Sequence, residues 1–199
     1  VDDYVLIDNS NLPRGYSNHT FSGWVFVESP PPYPQTAFIR TNSYAACGES
    51  TGLVILADPF GNKIGMNSCN DQSGSSEEVD YDTWTHLAYT RAGNTFTIYK
   101  NGVQIHSFNQ DINLTGESRW RINGDNAFWK GMMRDVGIFN EALSSVEILE
   151  IYSHGIYSDE NIPLNNSMVA SLEFGEGQGD IAYDRTGNAN HATLYGGTD

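Results

Sequence analysis

The chain has 199 residues and carries 25 acidic against 10 basic side chains, a formal charge of −15. That balance excludes nucleic acid and anionic membrane surfaces as partners, because both would repel the chain at long range. No apolar run approaches 18 residues, so no membrane-spanning helix is expected, and the length suits one all-β sandwich with a proper two-sheet core.

Period-two alternation recurs from the first residues onward. Asp3-Tyr-Val-Leu-Ile, Thr20-Phe-Ser-Gly-Trp-Val-Phe-Val and Ala37-Phe-Ile-Arg place β-branched or aromatic residues on alternate faces. Ser29-Pro-Pro-Pro-Tyr-Pro between the last two reads as an extended surface loop. Val54-Ile-Leu-Ala and Lys63-Ile-Gly-Met read as adjacent strands around an Asp58-Pro-Phe-Gly-Asn turn. Folding about that turn brings Cys47 and Cys69 close to opposite each other at the open end of the hairpin. A disulfide there would contribute about 3 kcal/mol and would imply an oxidising compartment; the alternative is two unpaired buried thiols.

Gln72-Ser-Gly-Ser-Ser-Glu-Glu reads as a flexible loop. His86-Leu-Ala-Tyr-Thr-Arg and Thr95-Phe-Thr-Ile-Tyr follow as strands, and Asn101-Gly102 before Val103-Gln-Ile is a strong two-residue hairpin signal. One short helix is expected over Val146-Glu-Ile-Leu-Glu-Ile-Tyr, capped by Ser144 or Ser145 with Glu147 in its first turn. Many short strands with regular turns predict an all-β fold, a two-sheet antiparallel sandwich with that one helix. Residues 1–155 form the main body, 156–168 a polar linker, and 169–199 a set of terminal strands.

Three stretches carry a family resemblance. They are Trp84-Thr-His-Leu-Ala-Tyr-Thr-Arg with Phe96-Thr-Ile-Tyr-Lys-Asn-Gly-Val-Gln-Ile, then Lys130-Gly-Met-Met-Arg-Asp-Val-Gly-Ile-Phe-Asn-Glu-Ala-Leu-Ser, and the terminal run from Leu172 to Gly197. Together they resemble the laminin-G-like members of the concanavalin-A-like lectin and glucanase superfamily. The resemblance implies a jelly-roll sandwich that more often binds carbohydrate than cuts it. The order of parts departs from the family pattern. There the Glu-Gly-x-Gly…Tyr-Asp-x-x-Gly-Asn segment opens the domain, whereas here it follows the linker. Residues 169–199 therefore either close the same sandwich in a permuted order or begin a tandem copy.

The resemblance also implies a calcium ion held by a carboxylate on the Tyr-Asp-x-x-Gly loop and another just after the Gly-x-hydrophobic strand. The matching positions are Asp184 and Asp135, with Glu173 or Glu176 as a third; calcium would need six to eight hard oxygens in all. The alternative is that Asp184 caps its own turn and Asp135 pairs with Arg134 or Arg185. Trp24 and Trp84 occupy positions that the family fills with core tryptophan.

Sugar binding needs flat apolar faces with hydrogen-bonding groups beside them. Trp120, Arg121, Asp125, Asn126 and Trp129 supply both within ten residues, and Tyr33, Arg40, Asn42 and Tyr44 add more from neighbouring loops. Surface packing with no ligand is the competing reading of the same residues.

Catalysis finds little support. Glu78-Val-Asp-Tyr-Asp begins the Glu-x-Asp-x-x-Glu strand of retaining glucanases, but Thr83 stands where the second Glu belongs. The histidines at 19, 86, 106, 154 and 191 have no metal spacing. Three sequons, at Asn18, Asn113 and Asn165, could accept glycans in a eukaryotic secretory route. The absence of a signal peptide is expected of a mature or excised domain. The chain therefore reads as a non-catalytic, secreted carbohydrate-binding module, with polysaccharide or glycan as partner and other domains of a larger protein beside it. An adhesion module that contacts protein is the first alternative, and a polysaccharide hydrolase or lyase the second.

Overall fold

Short β-branched and aromatic runs, separated by turns that use positive φ, fold as fourteen strands and one helix among the described residues. A computed structural model describes residues 3–8, 11–29, 36–41, 51–56, 61–68, 71–114, 119–123, 130–156 and 166–196. The strands are β1 (Tyr4–Asp8), β2 (His19–Val27), β3 (Thr36–Thr41), β4 (Thr51–Leu56), β5 (Lys63–Ser68), β6 (Asp71–Glu78), β7 (Trp84–Ala92), β8 (Thr95–Lys100), β9 (Val103–Asn109), β10 (Arg119–Ile122) and β11 (Gly131–Phe139). The helix α1 (Ser145–His154) follows, and then β12 (Met168–Leu172), β13 (Ile181–Ala182) and β14 (Ala192–Tyr195).

They form two antiparallel sheets, a concanavalin A-like β-sandwich. One runs β13-β14-β1-β10-β3-β4-β5-β6 and the other β12-β11-β2-β7-β8-β9. Alternation sets what each strand buries. Ile7, Phe21, Val25, Ile39, Leu53, Leu87, Tyr89 and Phe96 meet between the sheets. Arg91 is also buried, and its guanidinium donates to the carbonyls of Gly15, Gly93 and Ile112, which pins three loops.

Two hairpins follow the sequence closely. β4 pairs with β5 from Gly52 opposite Asn67 to Leu56 opposite Lys63. β8 and β9 meet at Lys100 opposite Val103, with Asn101 at φ 51° and Gly102 at φ 77°, the left-handed pair a tight hairpin demands. Helix α1 starts in a capping box: the Ser144 side chain accepts from the Glu147 backbone while the Glu147 carboxylate accepts from the Ser144 backbone. Its Ile148 and Ile151 bury against Ala88, Tyr99 and Phe139 on the outer face of the six-stranded sheet.

The terminal segment adds one strand, β12, to the six-stranded sheet and two, β13 and β14, to the eight-stranded sheet. β12 pairs with β11, placing Leu172 opposite Val136, and β14 pairs with β1, placing Ala192 opposite Ile7. Ala170, Leu172, Ala182 and Ala192 join the core.

Two expectations are corrected here. Residues 72–78, read as a flexible loop, lie in β6, which pairs with β5 at the sheet edge. Main-chain hydrogen bonds hold an edge strand, and polar side chains there protect it from further pairing, so no apolar alternation marks it. Trp24 and Trp84 are half-buried rather than central. Their strand neighbours Val25 and Thr85 point inward, so both rings lie on the outer face of the six-stranded sheet. Cys47 and Cys69 lie outside the described residues.

Candidate functional site

At one end of the eight-stranded sheet, β1 lies between β14 and β10. Tyr4 stands opposite Tyr195, and their rings stack with centroids 4.6 Å apart and planes 13° from parallel. Leu6 pairs with Arg121, so Tyr4, two residues earlier, shares the face from which Arg121 projects. The Arg121 guanidinium lies 3.7 Å from the Tyr4 ring centroid, close enough for a cation–π contact. On the far side, Arg121 stands opposite Arg40 of β3. The result is a row of Tyr195, Tyr4, Arg121 and Arg40 across one sheet face, with Tyr195 41% exposed.

Beside this row opens a cleft of about 280 Å3. Val5, Ile122, Met133, Phe174 and Leu194 give it apolar walls, and Asp3, Asn123, Tyr4 and Tyr195 also line it. Asn123 adopts φ 58° and donates from Nδ2 to the Asp3 carbonyl at 3.0 Å, which ties the end of β10 to the start of β1.

The sequence-predicted ligand residues divide among three places. Arg121 and Arg40 come together as the cationic part of the row. Asp125, Asn126 and Trp129 lie outside the described residues, within the stretch 124–129 that connects two cleft-lining residues, Asn123 and Gly131. Tyr33, Asn42 and Tyr44 also lie outside the described residues.

Trp120 is a correction. It is 1% exposed, stacked parallel to Tyr89 at 6.5 Å and touched edge-on by His19 at 5.5 Å. Alternation sends Trp120 inward wherever Arg121 points outward, so these two members of the expected sugar-binding group face opposite ways. Sequence reasoning missed Tyr4, Tyr195 and Phe174. The register of β1 could have offered Tyr4, because alternation with Val5 turns it outward, but nothing local ties it to Tyr195, 191 positions away.

The implied calcium ligands do not fit the ion. The Asp184 carboxylate is buried and accepts from the backbone N–H groups of Ser171 (2.9 Å), Thr186 (3.0 Å) and Asn190 (3.0 Å), and from the Thr186 hydroxyl. Those partners present hydrogens, whereas calcium needs converging lone pairs. Asp135 lies 3.8 Å from Arg134, Glu173 pairs with Arg185 at 3.2 Å, and Glu176 accepts from the Tyr183 N–H at 3.0 Å. Burial raises the Asp135 pKa, with Arg134 opposing and Glu173 adding to the rise, which suits a carboxyl flanked by one cation and one acid. Among the described residues, no three His, Cys, Asp or Glu side chains converge as a metal-binding group.

The acidic run that begins at Glu78, the last residue of β6, is equally committed. Glu78 bonds Lys63 at 2.8 Å, Asp80 bonds Lys100 at 2.9 Å, and Asp82 accepts from the Ser29 N–H. Two of these carboxylates are thus paired with lysines and the third with a backbone N–H. No described helix is long and apolar enough to cross a membrane.

A sequence model of laminin-G type, from the concanavalin A-like lectin/glucanases superfamily, matches residues 1–149. The chain belongs to this family. The match stops within α1, so β12, β13 and β14 lie beyond it. No curated protein matches the sequence. Among solved structures, a candidate carbohydrate-binding protein from Bacteroides ovatus aligns with a TM-score of 0.72 at 14% identity, covering 98% of this chain and 56% of its own. This chain thus spans little more than half that protein's length. Domain 4 of AbnA, an extracellular arabinanase from Geobacillus stearothermophilus, was solved with arabinotriose. It aligns with a TM-score of 0.57 at 17% identity, over 71% of this chain and 68% of that one. A heptameric SAP-like pentraxin from Limulus polyphemus aligns with a TM-score of 0.57 at 11% identity, over 97% and 94%. At such identities the likeness establishes a shared lectin-like fold.

Proposed function

We propose that this chain is a non-catalytic, extracellular carbohydrate-binding module that holds a glycan at the end of the eight-stranded sheet. One observation carries the reading: exposed Tyr195 stacked on Tyr4, with Arg121 against Tyr4 and an open cleft at the same end of the sheet. A ring stacks on tyrosine through its C–H face, while Arg121, Asn123 and the tyrosine hydroxyls supply directional bonds to its hydroxyls. The engagement of Glu78 and Asp80 by lysines, and of Asp82 by a backbone N–H, supports a binding rather than a cutting role. Secretion is supported by the two cysteines that flank the β4–β5 hairpin in sequence. The terminal segment reads as the family's opening strands in permuted position, supported by the pairing of β14 with β1 and β12 with β11.

Affinity electrophoresis through gels that each contain one soluble plant or algal polysaccharide tests this directly. The chain is expected to be retarded by at least one class, and Tyr195→Ala to run freely in that gel. Free migration of the unaltered chain in every gel would overturn the reading.

A second reading has its own observation. The outer face of the six-stranded sheet presents Phe26, Trp84, Met132 and Arg134, residue types enriched in protein interface cores, with Met132 51% exposed. A protein partner would dock there rather than at the cleft.

A further inference from the structure

The cleft is too apolar for an unmodified sugar. Val5, Ile122, Met133, Phe174 and Leu194 wall it, and none carries a side-chain hydrogen-bonding group. A sugar hydroxyl pressed among them would lose its water without gaining a partner, which is costly; a methyl group in the same place is favoured. The polar side chains sit at the margin, and Asn123 already spends Nδ2 on the Asp3 carbonyl. At about 280 Å3 the cleft is at the small end of ligand pockets, suited to one substituted ring rather than a length of chain.

Phe174 gives an independent sign. Seven described non-glycine residues have positive φ, and five of them are Asn or Asp, which tolerate it; Phe174, at φ 58°, does not. Strain of this kind persists where the surroundings hold it, and it gathers at ligand clamps. Here it fixes an aromatic wall on the cleft.

We propose that the cleft selects a glycan unit bearing a methyl group (an O-acetyl, O-methyl or 6-deoxy substituent) over its hydroxyl counterpart. The inference rests on the carbohydrate-binding reading of the same site. The ring enters the cleft with its hydroxyls at the polar margin near Asn123, and the methyl lies among Met133, Phe174 and Leu194.

Titration calorimetry of the 199-residue chain against two matched pairs tests it: acetylated glucomannan and the same polymer after mild alkaline deacetylation, and L-fucose and L-galactose, which differ only at C6. The methyl-bearing member of at least one pair is expected to bind at least fivefold more tightly. That preference is expected to fall below twofold in Phe174→Gly, which also relieves the backbone, and in Leu194→Asn, with melting curves confirming that each variant is folded. Equal binding within both pairs, or tighter binding of the hydroxyl forms, overturns the selection while leaving the glycan reading intact. A preference that survives both substitutions overturns its assignment to the cleft. No heat with any of the four counts against both readings.

Discussion

Two faces of this sandwich set an arginine against aromatic rings, and they are built to opposite effect. At the end of the eight-stranded sheet, Arg121 covers Tyr4, Tyr195 completes the stack, and a cleft opens beside them. On the outer face of the six-stranded sheet, Arg134 lies over both Trp24 (5.5 Å) and Trp84 (4.7 Å). Tyr152 stacks on Trp24 at 5.7 Å, and Phe26 packs against Trp84 at 5.8 Å. The tryptophans, the more obvious sugar platforms, have their rings engaged by neighbours, whereas the tyrosine pair retains exposed surface. Aromatic content marks both places; the arrangement around the rings separates an open surface from a packed one.

The largest expected effect breaks the core that supports the cleft. Trp120→Ala removes the buried ring behind Arg121 and should lower stability by about 3–5 kcal/mol, read by denaturant unfolding. A loss below about 1 kcal/mol would place Trp120 outside the core.

Acid should strike both faces together. Burial lowers the pKa of His19, which packs on Trp120, and of His86, which packs on Trp24, to about 4 each. The ordinary value is about 6.5, so the unfolded chain binds these protons more tightly. Stability from these groups is then full above about pH 6.5 and declines as pH falls toward 4, by about 3 kcal/mol for each histidine at the low end. Unfolding curves across that window should show the decline, and a flat profile would contradict the burial of both rings.

The Asp184 loop gives a smaller effect that sharpens the fit of the terminal strands. Asp184→Asn replaces an acceptor-only carboxylate with a group whose amide hydrogens face backbone N–H donors, and should cost about 1.5–3 kcal/mol. EDTA should leave the melting temperature of the unaltered chain unchanged. A drop with EDTA, restored by calcium, would show that a cation rather than these hydrogen bonds holds the loop.

The fold was legible because its signals are local and repeated. Alternation in β2, β7 and β8, the Asn101-Gly102 turn and the Ser144–Glu147 cap each specify structure within a few residues. β6 escaped because an edge strand of Ser, Gly and Glu is defined by its partner β5, not by its own pattern. The site was half legible. Arg121 and Arg40 were named, and the cross-strand register sets them side by side. Trp120 misled because in a four-residue strand one step of register decides between core and surface. The calcium reading matched types of residue, whereas the backbone donors that saturate Asp184 become visible only in three dimensions.

The most direct measurement compares the two faces in one titration: calorimetry of the unaltered chain, Tyr195→Ala and Arg134→Ala against the polysaccharide that retards the chain most strongly. The expected result is a tenfold or greater loss of affinity in Tyr195→Ala, equivalent to about 1.4 kcal/mol, with Arg134→Ala unchanged in affinity and less stable by about 0.5–1 kcal/mol. A loss of affinity in Arg134→Ala with Tyr195→Ala unaffected would move the glycan site to the six-stranded sheet and contradict the account.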